Sequence, residues 1–176
     1  MNVSPTRVFS SQLAEVAALA ALSLLLGFAL NRLSGRPLVL TYQTPEQRLV
    51  RQLGELVKNP PFKLMGSQTL GLDQFRRVLA EQRPLVLDAR AASFYREGHI
   101  PGAFNLSREN FGPDYQRLSA TLGAARDRPI VVYCSGGSCH DSKLVAGALL
   151  SLGFANVRVF TGGWEAWQDA RLPVSR

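Results

Sequence analysis

The sequence predicts an α/β domain preceded by one membrane-spanning helix. Three observations carry this. Short apolar runs rich in β-branched residues, Leu85 to Leu87, Ile130 to Tyr133 and Val157 to Phe160, alternate with stretches whose apolar residues recur at helical spacing. That is the pattern of parallel strands buried on both faces by helices. One of those runs leads straight into Cys134-Ser135-Gly136-Gly137-Ser138-Cys139-His140 and then into a helical stripe. Upstream, Val16 to Leu30 carries no charge at all.

The chain has 176 residues, room for one domain of ordinary size plus extra segments. Its net charge of +7 is unevenly spread: residues 1–65 hold seven basic and three acidic side chains, and residues 66–176 hold thirteen and ten. The domain itself is therefore only mildly basic. No basic run with interleaved aromatics occurs, so nucleic-acid binding gets little support. Two cysteines five positions apart make no disulfide framework and speak for chemistry rather than compartment.

Three segments follow from the chain order. Residues 1–33 read as a single-pass transmembrane anchor. The apolar stretch from Leu13 to Leu30, extended back to Val8, reaches the length of about twenty residues that a bilayer core requires. Glu15 lies near one end, within reach of the interface. A cleaved signal peptide is the rival, but the start has little positive charge and no small-x-small site follows Leu30. A core helix apolar on every face would find nothing here to bury it. Arg32, Arg36 and Arg48 after the span outweigh Arg7 and the terminal amine before it, which leans the following domain to the cytoplasmic side.

Residues 34–65 read as a juxtamembrane connector with a short amphipathic helix. Thr44-Pro45-Glu46-Gln47 is a capping box with proline in the first turn. Leu49, Val50, Leu53, Leu56 and Val57 form its stripe, and Pro60-Pro61 stops it. A surface helix packed on the domain is the plain reading; Arg48, Arg51, Lys58 and Lys63 also suit an anionic lipid surface. Residues 66–176 form the α/β domain. Expected strands are Ser67–Leu70, Leu85–Leu87, Phe104–Leu106, Ile130–Tyr133 and Val157–Phe160. Expected helices are Asp73–Gln82, Ala92–Arg96, Asp114–Leu122, one carrying Leu144, Val145, Ala148, Leu149 and Leu152, and Trp164–Ala170. Gly153 stands where a helix stop belongs.

Cys134 is the leading candidate nucleophile. It follows a buried strand and faces a glycine loop and a helix N-terminus, the place where open α/β sheets bind ligands. Backbone amides of Ser135, Gly136, Gly137, Ser138, Cys139 and His140 offer an anion cradle that favours thiolate over thiol. An ordinary cysteine has a pKa of roughly 8.5, so lowering it by about one unit multiplies the reactive fraction several-fold. Gly136 and Gly137 permit positive φ and close approach of an anion. Asp141 suits a first helical turn and is expected to point away from the thiolate. His140 reads as structural or solvent-facing. The Cys134-x4-Cys139-His140 cluster folds back too tightly for zinc, so no metal is expected.

Four pieces carry a family resemblance: Val86-Leu87-Asp88-Ala89-Arg90, Phe94 to Ala103, Val131 to Cys134, and Gly153-Phe154 through Gly162-Gly163-Trp164 to Trp167. In this order and spacing, over roughly residues 66–173, the chain resembles a rhodanese-like domain. The resemblance implies a five-stranded parallel sheet with helices on both faces. It implies a sulfurtransferase whose cysteine, here Cys134, carries sulfur as a persulfide to a thiol acceptor, with no organic cofactor. A six-residue loop, Cys134 to Cys139 if the helix starts at His140, suits a sulfur substrate in this family, whereas related phosphatases have one residue more and end with an arginine. The arginine that many rhodaneses place sixth in the loop is replaced by Cys139. A neutral thiol cannot offer a bidentate guanidinium contact, so thiosulfate is not expected to be the best donor.

Cys139 is also a candidate resolving thiol. It could attack Cys134, release sulfide and leave a disulfide. Asp88 and Arg90 match the family's acid-x-arginine and read as an ion pair bracing the loop. His99 reads as a loop-fixing hydrogen bonder, and Trp164 and Trp167 as packing residues, one of which could rim the site. The function expected is a membrane-tethered sulfurtransferase taking sulfane sulfur from a donor to a thiol acceptor. The rivals are a non-catalytic partner-binding module at the membrane and a two-cysteine redox switch.

Overall fold

The structure, a computed structural model, describes residues 5–34, 43–62 and 68–176, with the backbone alone for residues 5–11. The expected strand start at Ser67, the Arg36 and Lys63 charges and the connector at residues 37–42 lie outside the described residues. Two compact units result, Met1–Tyr42 and Gln43–Arg176.

In the first unit, helix α1 spans Pro5–Leu33. At about 1.5 Å per residue it is roughly 43 Å long. Its portion Gln12–Leu33 has a mean hydropathy of 2.2 and none of it is buried, so it is long and apolar enough to cross a membrane. Leu24, Leu25 and Leu26 are all exposed.

The second unit opens with α2, Pro45–Lys58. The Thr44 capping box is formed: Gln47 N–H donates to Thr44 Oγ1 at 3.2 Å, and Thr44 N–H donates to Gln47 Oε1 at 3.1 Å. Of the stripe, Leu53 and Val57 are buried and Leu49 is exposed. The remaining elements are β1 Thr69–Leu70, α3 Leu72–Gln82, β2 Leu85–Asp88, α4 Ala92–Glu97, β3 Phe104–Asn105, α5 Phe111–Arg117, α6 Ser119–Gly123, β4 Ile130–Tyr133, α7 Asp141–Ser151, β5 Val157–Phe160 and α8 Gly163–Asp169. The five strands are parallel, in the order β1-β5-β4-β2-β3.

Period-two burial splits the three inner strands, β2, β4 and β5, between two cores. Leu85, Leu87, Ile130, Val132, Val157 and Val159 face one core, with Leu53 and Val57 of α2 and Val145 and Leu149 of α7. Val86, Val131, Tyr133 and Phe160 face the other, with Phe75 and Val78 of α3 and Trp167 of α8. Alternating side chains on a strand point to opposite faces, so a strand covered on both sides must be apolar throughout. Each fully buried Val, Leu or Phe contributes about 1.5–3 kcal/mol.

Two expectations are corrected. The single helix expected over Asp114–Leu122 is two, α5 and α6, meeting at Leu118, whose ψ of 6° leaves the helical range. The first begins earlier than Asp114 because Pro113 falls in its first turn, where the missing N–H has no helical partner to lose. The second correction concerns the helix after the cysteine loop. It starts at Asp141 with His140 as N-cap. Lys143 and Leu144 N–H both reach back to the His140 carbonyl, at 3.0 and 3.1 Å. The loop Cys134 to His140 is therefore seven residues rather than six. Its length no longer separates sulfur from phosphate chemistry. The end of α7 is as expected: Gly153 has φ +88°, its N–H reaches Leu150 O, and Phe154 N–H reaches Leu149 O, a Schellman closure.

Candidate active site

Cys134 leaves the carboxyl end of the central strand β4, flanked by β2 and β5. It is buried, whereas Ser135 and Cys139 are half-buried and Gly137, Ser138 and His140 are exposed. Cys134 and Cys139 are joined by a disulfide, with Cα atoms 6.4 Å apart. The loop bends back on itself because Gly136 and Gly137 take φ values of +121° and +54°, where a Cβ would be strained. That bend lets Cys139 N–H donate to Gly136 O at 3.0 Å. In the bridged protein this amide is thus committed within the loop.

Helix α8 closes the loop from behind. Trp164 N–H donates to Cys134 O and Glu165 N–H donates to Ser135 O, both at 2.8 Å. The first amides of a helix have no partner within it, and here the loop carbonyls supply one. The approach is close: a Cβ on Gly163, itself at φ +59°, would stand 2.5 Å from Cys134 O. Gly162-Gly163 is therefore the surface against which the cysteine loop is moulded.

Asp88, Arg90 and His99 gather at the same end of the sheet. Arg90 Nη2 lies 2.6 Å from Asp88 Oδ2, and its Nε donates to Asp88 Oδ1 at 3.0 Å. Nη2 also donates to Gly98 O at 2.7 Å, and the guanidinium lies 4.7 Å from the Trp164 ring centre. Burial opposes the Arg90 charge, but its hydrogen bonds and attraction to Asp88 win and its pKa is raised. Tyr133 O–H donates to Asp88 Oδ2 at 2.7 Å and accepts from Ile100 N–H at 3.2 Å. Burial first, and then Asp88, push the Tyr133 pKa well up, so it stays a neutral donor. His99 Nδ1 lies 2.9 Å from Tyr95 O, and its ring stacks on Tyr95 at 3.8 Å. The network thus ties the loop at residues 98–100 to strands β2 and β4. Trp167 is buried and Nε1 donates to Pro173 O at 2.8 Å, whereas Trp164 is half-buried beside Arg90.

Three contributors had no warning in the motifs. Ser142 places Oγ 3.3 Å from Cys134 Sγ. Arg108 Nε lies 2.7 Å from Asp141 Oδ1, an ion pair without hydrogen-bond alignment that anchors the first turn of α7. Asn105 Nδ2 donates to Asp88 O and Arg90 O, fixing the turn between them. Only the position of Ser142 gave a signal, since a first-turn serine has no helical carbonyl four residues back. Among the described residues, no group of three or more His, Cys, Asp or Glu is placed to hold a metal.

A cysteine at the carboxyl end of a parallel strand, beside a glycine loop and a helix start, is placed where either an anionic or a sulfane substrate could be met. Comparison with known proteins narrows this. The rhodanese-like domain family matches residues 72–170. The thiosulfate sulfurtransferase GlpE of Shewanella oneidensis is 34% identical over 102 residues, covering 57% of this chain and 92% of that protein. The 3-mercaptopyruvate sulfurtransferase of Escherichia coli is 34% identical over 114 residues, covering 53% of this chain and 40% of that protein. The solution structure of a rhodanese-like domain from Anabaena sp. superposes with a TM-score of 0.52 at 28% identity, covering 61% of this chain and 78% of that one. With a family match over more than half of its length, a parallel sheet of the expected kind and these relatives, this chain belongs to the rhodanese-like domain family.

Proposed function

We propose that this protein is a membrane-tethered sulfurtransferase that carries sulfane sulfur on Cys134 and uses Cys139 as a resolving thiol. The observation that carries the reading is the joined Cys134–Cys139 pair on a loop moulded at the carboxyl end of β4. The Cys134 thiolate attacks the sulfane sulfur of the donor. The bond from that sulfur to the rest of the donor breaks, and the remainder leaves with the electron pair. Cys134 then holds a persulfide, whose outer sulfur an acceptor thiolate takes, restoring the Cys134 thiolate. Without an acceptor, the Cys139 thiolate attacks Cys134 Sγ, hydrosulfide leaves, and the disulfide forms. An external dithiol must then reduce that bridge, being oxidised to its own disulfide.

Cys139 in place of an arginine leaves the loop without a guanidinium for an anionic donor. Arg90 is paired with Asp88, and Arg108 with Asp141. A donor with little charge at its leaving end suits such a site better than thiosulfate. Helix α1 would hold the domain at the bilayer, with the cytoplasmic face favoured by the arginines that follow it.

Mass spectrometry of the reduced protein after treatment with a sulfane donor tests the reading. One sulfur added on Cys134, followed by loss of that sulfur and of two hydrogens across the pair, is the expected course. Cys139→Ser should hold the persulfide without forming the bridge, and Cys134→Ala should abolish loading. Loading that survives Cys134→Ala, or no loading with any donor, rejects the sulfurtransferase. In the latter case the bridge is a redox switch or the domain a binding module.

A further inference from the structure

The buried hydroxyl of Ser142 has an unusual partner. Two other serines on helices bond in the ordinary way, to the carbonyl four residues back: Ser23 Oγ to Leu19 O at 2.9 Å and Ser151 Oγ to Gly147 O at 2.8 Å. That local bond is the default for a helical serine. Ser142 sits second in α7, so the residue four back, Ser138, is in the glycine loop rather than the helix. The residue is only 2% exposed, and its hydroxyl reaches Cys134 Sγ at 3.3 Å. A buried hydroxyl must find a partner, and here the fold directs it to sulfur. In the bridged protein Cys134 Sγ carries no proton, so the serine O–H is the donor.

We propose that Ser142 is a positioning residue for the Cys134 sulfur: its hydroxyl holds Sγ in the bridged protein and donates to the thiolate once the bridge opens. This rests on Cys134 being the reacting thiol. A hydrogen bond to an ionised sulfur is stronger than one to a neutral thiol, so it favours the nucleophile over its resting form. The same bond fixes Sγ while Cys139 approaches. The helix turn that carries Ser142 is itself held, because Asp141 beside it is paired with Arg108. Other charges stand on the surrounding elements. His140 and Lys143 lie on or beside the first turn of α7, Asp88 and Arg90 at the end of β2, and Glu165 on α8. Among the described residues, the hydrogen bond to Sγ comes from Ser142.

The experiment is the pH dependence of iodoacetamide alkylation at Cys134, in the full chain carrying Cys139→Ser so that no bridge forms. The parent should alkylate with a midpoint below the ordinary thiol value of about 8.5. Ser142→Ala should raise that midpoint by about one pH unit, roughly a tenfold loss of thiolate near neutrality. Ser142→Thr, which keeps the hydroxyl, should restore it. Ser151→Ala, which alters a hydroxyl of the same helix away from sulfur, should leave the profile where it was. A Ser142→Ala profile identical to the parent, or a Ser142→Thr profile as displaced as Ser142→Ala, overturns the inference. A parent with an ordinary midpoint counts instead against an activated Cys134, so the two failures are told apart.

Discussion

Tyr133 joins strand, loop and ion pair in one side chain. Its O–H donates to Asp88 and accepts from Ile100 N–H, and its ring lies within 5.7 Å of the Arg90 guanidinium. Tyr133→Phe removes both bonds and leaves the buried Ile100 N–H without its acceptor, so it should cost about 1–3 kcal/mol in a denaturant melt at neutral pH. The raised pKa adds a pH signature. The folded state holds the phenol proton more tightly than the unfolded chain, so the contribution is complete below the ordinary value of 10.0 and is lost as pH climbs above it. Tyr133→Phe should therefore lose stability less steeply than the wild type in the alkaline limb. Arg90→Ala leaves the fully buried Asp88 carboxylate unpaired and should cost about 3–5 kcal/mol in the same melt. The Asp88–Arg90 pairing was legible in sequence through the family's acid-x-arginine pattern. The Tyr133 bond spans 45 positions and was not, since a tyrosine closing a buried strand reads simply as apolar.

Among the elements, α2 and α7 show how glycine governs approach. A Cβ on Gly112 of α5 would overlap the Val50 carbonyl of α2, and one on Gly147 of α7 would lie 2.8 Å from Pro60 Cγ and 2.9 Å from Phe62 O. These contacts dock the segment of residues 45–62 against α5 and α7. Gly112→Ala and Gly147→Ala should each lower stability by about 1–3 kcal/mol through overpacking, despite alanine's better helix propensity, as a thermal melt would report. Gly163→Ala meets both a strained φ and the Cys134 carbonyl, so it should displace the loop. Sulfur loading of Cys134, followed by mass spectrometry, should slow about 10–100-fold. Capping and periodicity fixed α2, α3 and α7 closely, because those signals are local. The α5–α6 break was missed, because Leu118 leaves the helix to reach the core and that demand is tertiary. The start of α7 moved by one residue for a similar reason: its first helical bond is settled by where the loop ends.

For the molecule as a whole, α1 is the feature that is long and apolar enough to cross a membrane. If it spans a bilayer, the full chain should stay in the membrane pellet after alkaline carbonate extraction, and release to the supernatant would reject the anchor. With the domain on the cytoplasmic face, protease added to inside-out vesicles should digest it and protease added to right-side-out vesicles should not. By itself the sequence determined the α/β class, the five strands and the candidate nucleophile, because strand alternation, helix stripes and a strand–glycine–helix junction are local patterns written in consecutive residues. Tertiary structure alone decided the rest. It set the length of the cysteine loop, brought α8 amides onto the loop carbonyls, aimed Tyr133 at Asp88 and put the Ser142 hydroxyl on the Cys134 sulfur. Those contacts join residues from separate strands and helices, and only packing the two cores on either side of the sheet brings them within hydrogen-bond reach.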